Sequence, residues 1–335
     1  MRAYQLKAKG FEGLTKVELP QPKPGRRQVL VKVGATSLNY RDLAVVSGNY
    51  RAPTKANVIP LSDGAGEVVE IGAEVTRFQV GDRVAGNFSQ RWVGGEPPVD
   101  SGSYAMGGGV DGMLADYVVL EETGTVKLPA HLSYQEGATL PCAGLTAWNA
   151  LVEHGKLTAG MTVLVLGTGG VSVFALQFAR LIGARVIATS SSDEKLAHAK
   201  RLGAAHGVNY KTTQEWDKAV VELTGGGVDQ VVEVGGAGTF ARSLGAIRVG
   251  GKISLIGVLT GPAGDSSPML ILGKRANIQG ISVGSTQMFE AMNKAIAIGA
   301  MKPVIDKIFP FDDALAAFKY LQSAAHFGKV VISLA

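Results

Sequence analysis

The sequence predicts an α/β protein in two parts, a β-rich N-terminal portion and a doubly wound parallel sheet after it. Three observations carry that expectation. The length, 335 residues, is more than one hydrophobic core serves well. Before about residue 130, short alternating runs are separated by Gly, Pro and Asp turns, whereas from residue 161 onward apolar strands alternate with helical patterns. At residues 161–183, MTVLVLGTGGVSVFALQFARLIG, a buried strand, a glycine turn and a helix ended by Gly183 follow one another directly.

The opening residues, MRAYQLKAKG, alternate like a strand and lack the apolar core of a signal peptide. Further strand-like runs occur at 29–33, 66–71, 83–86 and 115–119. Residues 94–112 are glycine-rich and without period. They read as a mobile surface loop or as a lid over a pocket, with Trp92 and Tyr104 as the packing residues. Ser133 and Glu136 form a capping box that opens a helix; Pro141 should break it, and 145–151 continues with an apolar face. After the strand and helix of 161–183 come a strand at 184–189, a helix capped by the box Ser191–Glu194, and a strand at 207–210. A further box, Thr212–Glu215, precedes a helix ending at Gly225, followed by strands at 228–234 and 252–256 around a helix at 239–248. Such alternation means a parallel sheet covered on both faces. The tail gives an amphipathic helix at 288–298, an extended run at 303–309, a helix from Asp312 to about Gln322 and a strand at 329–334.

Composition narrows the class. The chain is 46% hydrophobic and 18% charged, as in soluble globular proteins, with no apolar run long enough for a membrane span. Its net charge of +5 is spread along the chain. That favours a small anionic partner and lacks the basic stripe with interleaved aromatics that nucleic acid requires. A single cysteine, Cys142, excludes an internal disulfide framework and fits a reducing cytoplasm.

The turn Gly167-Thr168-Gly169-Gly170 between strand and helix is the opening of a dinucleotide-binding βαβ unit. Glycines let the backbone approach a pyrophosphate, whose charge is met by the free N–H groups of the helix start. The fingerprint is imperfect, with Gly170 at an ordinary position and Ser172 at the third glycine. The next strand ends in Thr189-Ser190-Ser191, where NAD-binding chains place an acid for the ribose hydroxyls. With no carboxylate at Ser190 to repel a 2′-phosphate, and with Lys195 and Tyr210 near the same pocket, the expected cofactor is NADP(H). One charge pair near 4 Å is worth about 4 kcal/mol at an effective dielectric of 20 and less when exposed, so the preference is about ten- to a hundredfold. Ser191 as a helix cap, Lys195 as a solvated lysine and Tyr210 as a strand-end aromatic are the competing roles.

Several motifs, in order and spacing, carry a family resemblance: SLNYRD at 37–42, DGAGE at 63–67, GDRV at 81–84, LTA at 145–147, Gly169-Gly170-Val171 and HFGK at 326–329. Over essentially its whole length the chain resembles the medium-chain dehydrogenase/reductases, and within them the zinc-free, quinone oxidoreductase-like branch. The resemblance implies a GroES-like β-barrel catalytic domain, residues 1–130 with 283–335, and a Rossmann NADP-binding domain, residues 131–282. It implies cofactor contacts at Thr146, Gly169, Gly170, Val171, Val234, Ile256, Val258, Val283 and Lys329, the last otherwise a solvated lysine at a strand start. It also implies homodimers or homotetramers joined through the Rossmann domains.

Zinc-dependent relatives hold their catalytic metal at positions that here are Asn39, Ser62 and Cys142. One thiol, an amide and a hydroxyl do not supply three good zinc ligands, and the glycine-rich stretch lacks the four cysteines of the structural zinc lobe. The expectation is a metal-free site, with Cys142 a small buried residue or a cleft thiol. Hydride transfer without a Lewis acid calls for an acceptor that carries its own activation, an α,β-unsaturated ketone or aldehyde or a quinone. Asn39 and Tyr50 are the candidate hydrogen-bond or proton donors, against roles as a turn residue and as packing, while Asp42 suits holding the loop. A zinc-free alcohol dehydrogenase or aldehyde reductase is the alternative. A non-catalytic, crystallin-like NADPH-binding protein is the third reading.

Overall fold

The computed structural model describes residues 1–261, Gly264 and 268–334. The chain divides into two compact units, residues 1–145 with 283–335, and residues 146–282.

The first unit opens with an antiparallel pair, β1 (Arg2–Leu6) and β2 (Leu14–Glu18). Then come β3 (Gln28–Leu38), α1 (Tyr40–Ser47), β4 (Asp63–Ile71), β5 (Arg83–Gly86), β6 (Tyr117–Glu121), β7 (Thr125–Lys127) and α2 (Tyr134–Gly137). After α2 the chain makes wide π-type turns at Leu140–Gly144 and Asn149–His154, on either side of α3 (Leu145–Trp148). Pro141 therefore does not stop the helical path as expected. It stands in the first turn of the wide segment, where its missing N–H costs no bond.

In the second unit, β8 (Thr162–Leu166), β9 (Arg185–Ser190), β10 (His206–Asn209), β11 (Val228–Glu233), β12 (Ile247–Leu255) and β13 (Asn277–Gly280) form one six-stranded sheet. Every pairing is parallel, and the spatial order is β10-β9-β8-β11-β12-β13. That is the doubly wound order, whose direction reverses between β8 and β11. Its helices are α4 (Gly170–Ile182), α5 (Asp193–Arg201), α6 (Trp216–Thr224), α7 (Ala237–Ala246) and α8 (Pro268–Lys274). Leu164, Ile187, Val231 and Ile253 from four neighbouring strands pack with Trp216, Val220 and Leu244 of the helices into its core.

The chain then returns to the first unit through α9 (Thr286–Ile298), β14 (Ile305–Pro310), α10 (Ala314–Gln322) and β15 (Lys329–Ser333). The return strand completes a seven-stranded sheet. β15 pairs antiparallel with β3, with Val330 opposite Leu38, and β3 pairs with β4, with Ser37 opposite Asp63. These two registers bring Lys329, Asn39 and Asp63 to one end of the sheet.

Two expected caps move. The cap of α5 is Ser192, whose hydroxyl accepts from Lys195 N at 3.3 Å, and not Ser191. Thr212 caps no helix: its hydroxyl donates to Asn209 O, and α6 begins only at Trp216. The glycine-rich stretch is not loose along its whole length. Ala105 and Met106 are fully buried, and Gly112 N donates to Ile59 O at 2.7 Å. Trp92 is buried and Tyr104 half-buried, as packing residues should be. Among the described residues no helix is long and apolar enough to cross a membrane.

Candidate functional site

In the second unit, β8 ends at Leu166 and the chain turns through Gly167, with φ +72°, into α4, whose N-cap is Gly169. A Cβ on Gly167 or Gly169 would meet no atom within 4 Å, so the space over the turn is open. Ser172 stands where the third glycine is usual, and its hydroxyl donates to Leu166 O at 2.6 Å, which ties the helix to its strand. The imperfect fingerprint thus keeps its geometry. The first N–H groups of α4 have no intrahelical acceptor and suit a pyrophosphate. Gly169, Gly170 and Val171 all lie here, at the carboxyl end of a strand beside the switch in strand order.

Pairing of β9 with β10 sets Ser190 opposite Asn209, and Tyr210 N donates to Ser190 O. Ser190 is buried and its hydroxyl accepts from Ser192 N, Ser191 is half-buried, and the Tyr210 side chain is exposed. The acid Asp193 accepts from Asn209 Nδ2 at 2.8 Å. Ser190, Ser191 and Tyr210 therefore gather at neighbouring strand ends, and Lys195 follows in the first turn of α5. Val234, Ile256 and Val258 gather at the ends of β11 and β12, where Ile256 N donates to Glu233 O. Glu233, which the sequence did not single out, organises that turn. Its buried carboxylate accepts from Gly235 N, Gly236 N, Thr239 Oγ1 and Ser243 Oγ. Thr146 is buried in this unit. Val283 belongs to the first unit, buried and at φ +55°, an uncommon value for a β-branched residue.

In the first unit, Asn39 precedes α1 and its N–H donates to the Asp42 carboxylate at 2.8 Å. Asp42, fully buried, also receives Arg41 Nη1 at 3.1 Å, so it holds the local backbone as expected. Burial pushes the Asp42 carboxyl above its ordinary value despite Arg41. The side chain of Asn39 is engaged from the other end of the chain: Lys329 Nζ donates to Asn39 Oδ1 and to Leu38 O, each at 2.6 Å. The same ammonium lies 3.9 Å from Asp63 Oδ2. Lys329 is 3% exposed, which excludes the solvated role. Asn39 Nδ2 and the Asp63 carboxylate attract one another without reaching hydrogen-bond geometry, so Nδ2 is buried with no acceptor.

Asp63 further accepts from Ser62 Oγ at 2.7 Å and Cys142 N at 3.2 Å. Burial raises its pKa to about 6, against the pull of Lys329. Burial, and then the Asp63 carboxylate, push the Cys142 thiol upward, away from a reactive thiolate. Tyr50 is not among these groups. Its half-buried ring lies 4.6 Å from the Arg41 guanidinium.

Comparison with known proteins agrees with both units. A family described as alcohol dehydrogenase GroES-like domain matches residues 25–130, and one described as zinc-binding dehydrogenase matches 170–297. A zinc-type alcohol dehydrogenase-like protein of Schizosaccharomyces pombe is 46% identical over 97% of this chain and 96% of its own length. The chain is a medium-chain dehydrogenase/reductase. A chloroplast envelope quinone oxidoreductase homolog of Arabidopsis thaliana is 30% identical over 96% of this chain and 94% of its own length. The solved structure of an NAD-dependent alcohol dehydrogenase superposes with a TM-score of 0.91 at 34% identity over the whole of both chains. The fold is accordingly a GroES-like domain plus a Rossmann-like parallel sheet, and the activity class is that of an oxidoreductase with a nicotinamide cofactor.

The resemblance matches Asn39, Ser62 and Cys142 to the positions that hold catalytic zinc in zinc-dependent members of this superfamily. Here the Asn39 oxygen is taken by an ammonium, and the Ser62 hydroxyl donates to Asp63. Among the described residues no group of three or more His, Cys, Asp or Glu side chains could hold a metal ion. This donor set does not fit zinc. What sequence reasoning missed was Asp63 and the depth of Lys329, although both lie inside the motifs DGAGE and HFGK.

Proposed function

We propose that this chain is an NADPH-dependent, metal-free oxidoreductase that reduces the activated C=C bond of an α,β-unsaturated ketone or aldehyde, or a quinone. One observation carries the reading: the Lys329 ammonium, bonded to Asn39 Oδ1, is a built-in cation at the first of the zinc-ligand positions. A plain carbonyl therefore finds no Lewis acid here, while a conjugated acceptor needs only donors for its oxygen.

The second unit is read as the cofactor site, its open glycine turn taking the pyrophosphate and the pocket of Ser190, Ser191, Lys195 and Tyr210 the 2′-phosphate. When bound, reduced nicotinamide would supply a hydride, one proton with its electron pair, to the β-carbon; the displaced C=C pair would be held on the carbonyl oxygen, and a proton at the α-carbon would complete the saturated product. Asn39 donates from Nδ2 to that developing oxyanion, while Lys329 fixes the amide orientation and makes its N–H groups better donors. Tyr50 and solvent are the candidate proton sources. Thr146, Val234, Ile256 and Val258 complete the cofactor contacts, and Val283 sits at the crossing between units. Lys329, expected as a cofactor contact, acts in this reading through Asn39.

The deciding experiment is a panel of quinones, enones, aldehydes and alcohols with NADPH and NADH, before and after exhaustive chelation. Turnover of enones or quinones with NADPH, indifferent to the chelator, is the expected outcome. Chelator-sensitive reduction of plain aldehydes would establish a metal alcohol dehydrogenase instead, and cofactor binding without turnover the crystallin-like reading. Replacing Ser190 with Asp should raise the KM for NADPH by about tenfold or more while sparing NADH.

A further inference from the structure

We infer that Arg41 is a specificity residue that binds a carboxylate on the substrate, so that the acceptor is an enone bearing an acid group. This rests on the enone reading above. The guanidinium has one side in use. Its Nη1 donates to Asp42 Oδ1 at 3.1 Å, Met106 O at 2.9 Å and Gly107 O at 3.3 Å. The other side, Nε and Nη2, is buried and makes no hydrogen bond of good geometry, the Tyr50 hydroxyl alone being near enough to interact with the guanidinium.

Those two atoms are not an arbitrary pair. Nε–H and the adjacent Nη2–H point in parallel along one edge of the planar group, the edge that grips a carboxylate through two bonds at once. Leaving both donors buried and unmet is costly, and structures keep such cost where a ligand relieves it. The plane is also held ready, with the Tyr50 ring 4.6 Å from it and the Phe88 ring 5.0 Å. Asn39 is two residues away, and Asp42 bonds both to its N–H and to Arg41, so the fork and the oxyanion donor share one anchor.

Access requires no opening of the core. Tyr50 is half-buried, while its chain neighbours Asn49 and Arg51 are exposed, so the ring can swing out and the carboxylate take its place. Asp42 neutralises Arg41 only through Nη1, which leaves the fork free for an anion of its own. A neutral enone gains nothing from this edge.

The test uses acetylacrylate, an enone carboxylate, and its methyl ester as substrates, with levulinate, the saturated acid, as a ligand for calorimetry. Arg41→Lys keeps the charge for Asp42 and removes the fork. Should that variant fold poorly, Gly108→Ala serves alone: its Cβ would lie 2.7 Å from Arg41 Nη2, filling the edge without removing a charge. Each variant should raise the KM for the acid by about ten- to a hundredfold, leave the ester unchanged and abolish levulinate binding. Acid and ester shifted equally, or levulinate held as well by Gly108→Ala as by the wild type, would overturn the inference and leave the enone reading standing. Levulinate binding lost in both variants, with neither substrate reduced by the wild type, would keep the fork and sink the enone reading instead.

Discussion

A carboxyl group sealed from water gives up its proton late, and Asp63 is held between that tendency and the ammonium beside it. Its pKa in the fold is about 6 against an ordinary 3.8, so the native state binds this proton more tightly than the unfolded chain does. Stability from this group is therefore fully present below the unfolded value and lost as pH rises through about 6. Two pKa units correspond to at most about 3 kcal/mol. Urea unfolding followed over that interval should show stability falling with pH in the wild type, and the fall should vanish in Asp63→Asn. A slope that survives the substitution would remove Asp63 as its source. Replacing Lys329 with Met takes away the main pull on the carboxyl, so the same fall should continue to higher pH. The Met variant should also lose about 2–4 kcal/mol near neutrality, because the buried Asp63 then has no cation and folding must either protonate it or bury its charge unpaired. Nothing in the sequence near either residue signals this pair. The chain distance is too long for any local pattern, and only the β15–β3–β4 register makes them neighbours.

At the scale of elements, the sequence was clearest where one chemical rule acted alone and misleading where two rules competed. Gly183 and Gly225 end α4 and α6 in the left-handed conformation, because glycine has no rival there. Ser190, Ser191 and Ser192 offer three equivalent hydroxyls, and only the strand's length decides that the last one caps. Ser192→Ala should accordingly cost about 1 kcal/mol in thermal unfolding and Ser191→Ala almost nothing; the reverse ranking would restore the cap to Ser191. Thr212 and Glu215 satisfy a capping-box pattern, yet Thr213 N donates to Asn209 O and the turn claims those residues first. The glycine-rich stretch shows a related limit, since composition reveals a loop and not what the loop touches. Gly107, at φ +64°, carries its α-carbon against the Leu61 backbone, where a Cβ would come within 2.6 Å, and Leu61 itself is held at φ +71° just before Ser62 and Asp63. Gly107→Ala should cost about 3 kcal/mol or more, whereas Gly81→Ala, also at positive φ but with open space around it, should cost about 1–2. Equal losses would mean that the loop does not brace the site.

For the molecule as a whole, strand–helix alternation announced a parallel sheet, and the observed strand order is the doubly wound one, reversing between β8 and β11. The last strand escaped notice for a physical reason. β13, Asn-Ile-Gln-Gly, is short and mostly exposed, and among the described residues it pairs with β12 alone, so no apolar run marks it. An edge of this kind is a liability in a lone protein, because it presents unpaired backbone donors and acceptors to any other strand. Beside it in sequence, α8 exposes Met269, Leu270 and Leu272 at 69%, 42% and 68%, and Val249 at the base of β12 is 59% exposed. Soluble monomers seldom leave such side chains together on one element, which supports a homodimer joined through this edge of the second unit. Burying a leucine at such a contact is worth about 1.5–3 kcal/mol per subunit, and a charge there would have to be desolvated in both copies. Leu272→Glu should therefore shift sedimentation from dimer to monomer at micromolar protein while the unfolding midpoint of dilute protein stays put, since the residue touches no core. A sedimentation coefficient untouched by Leu272→Glu would place the subunit contact elsewhere and leave the apolar face of α8 to another partner.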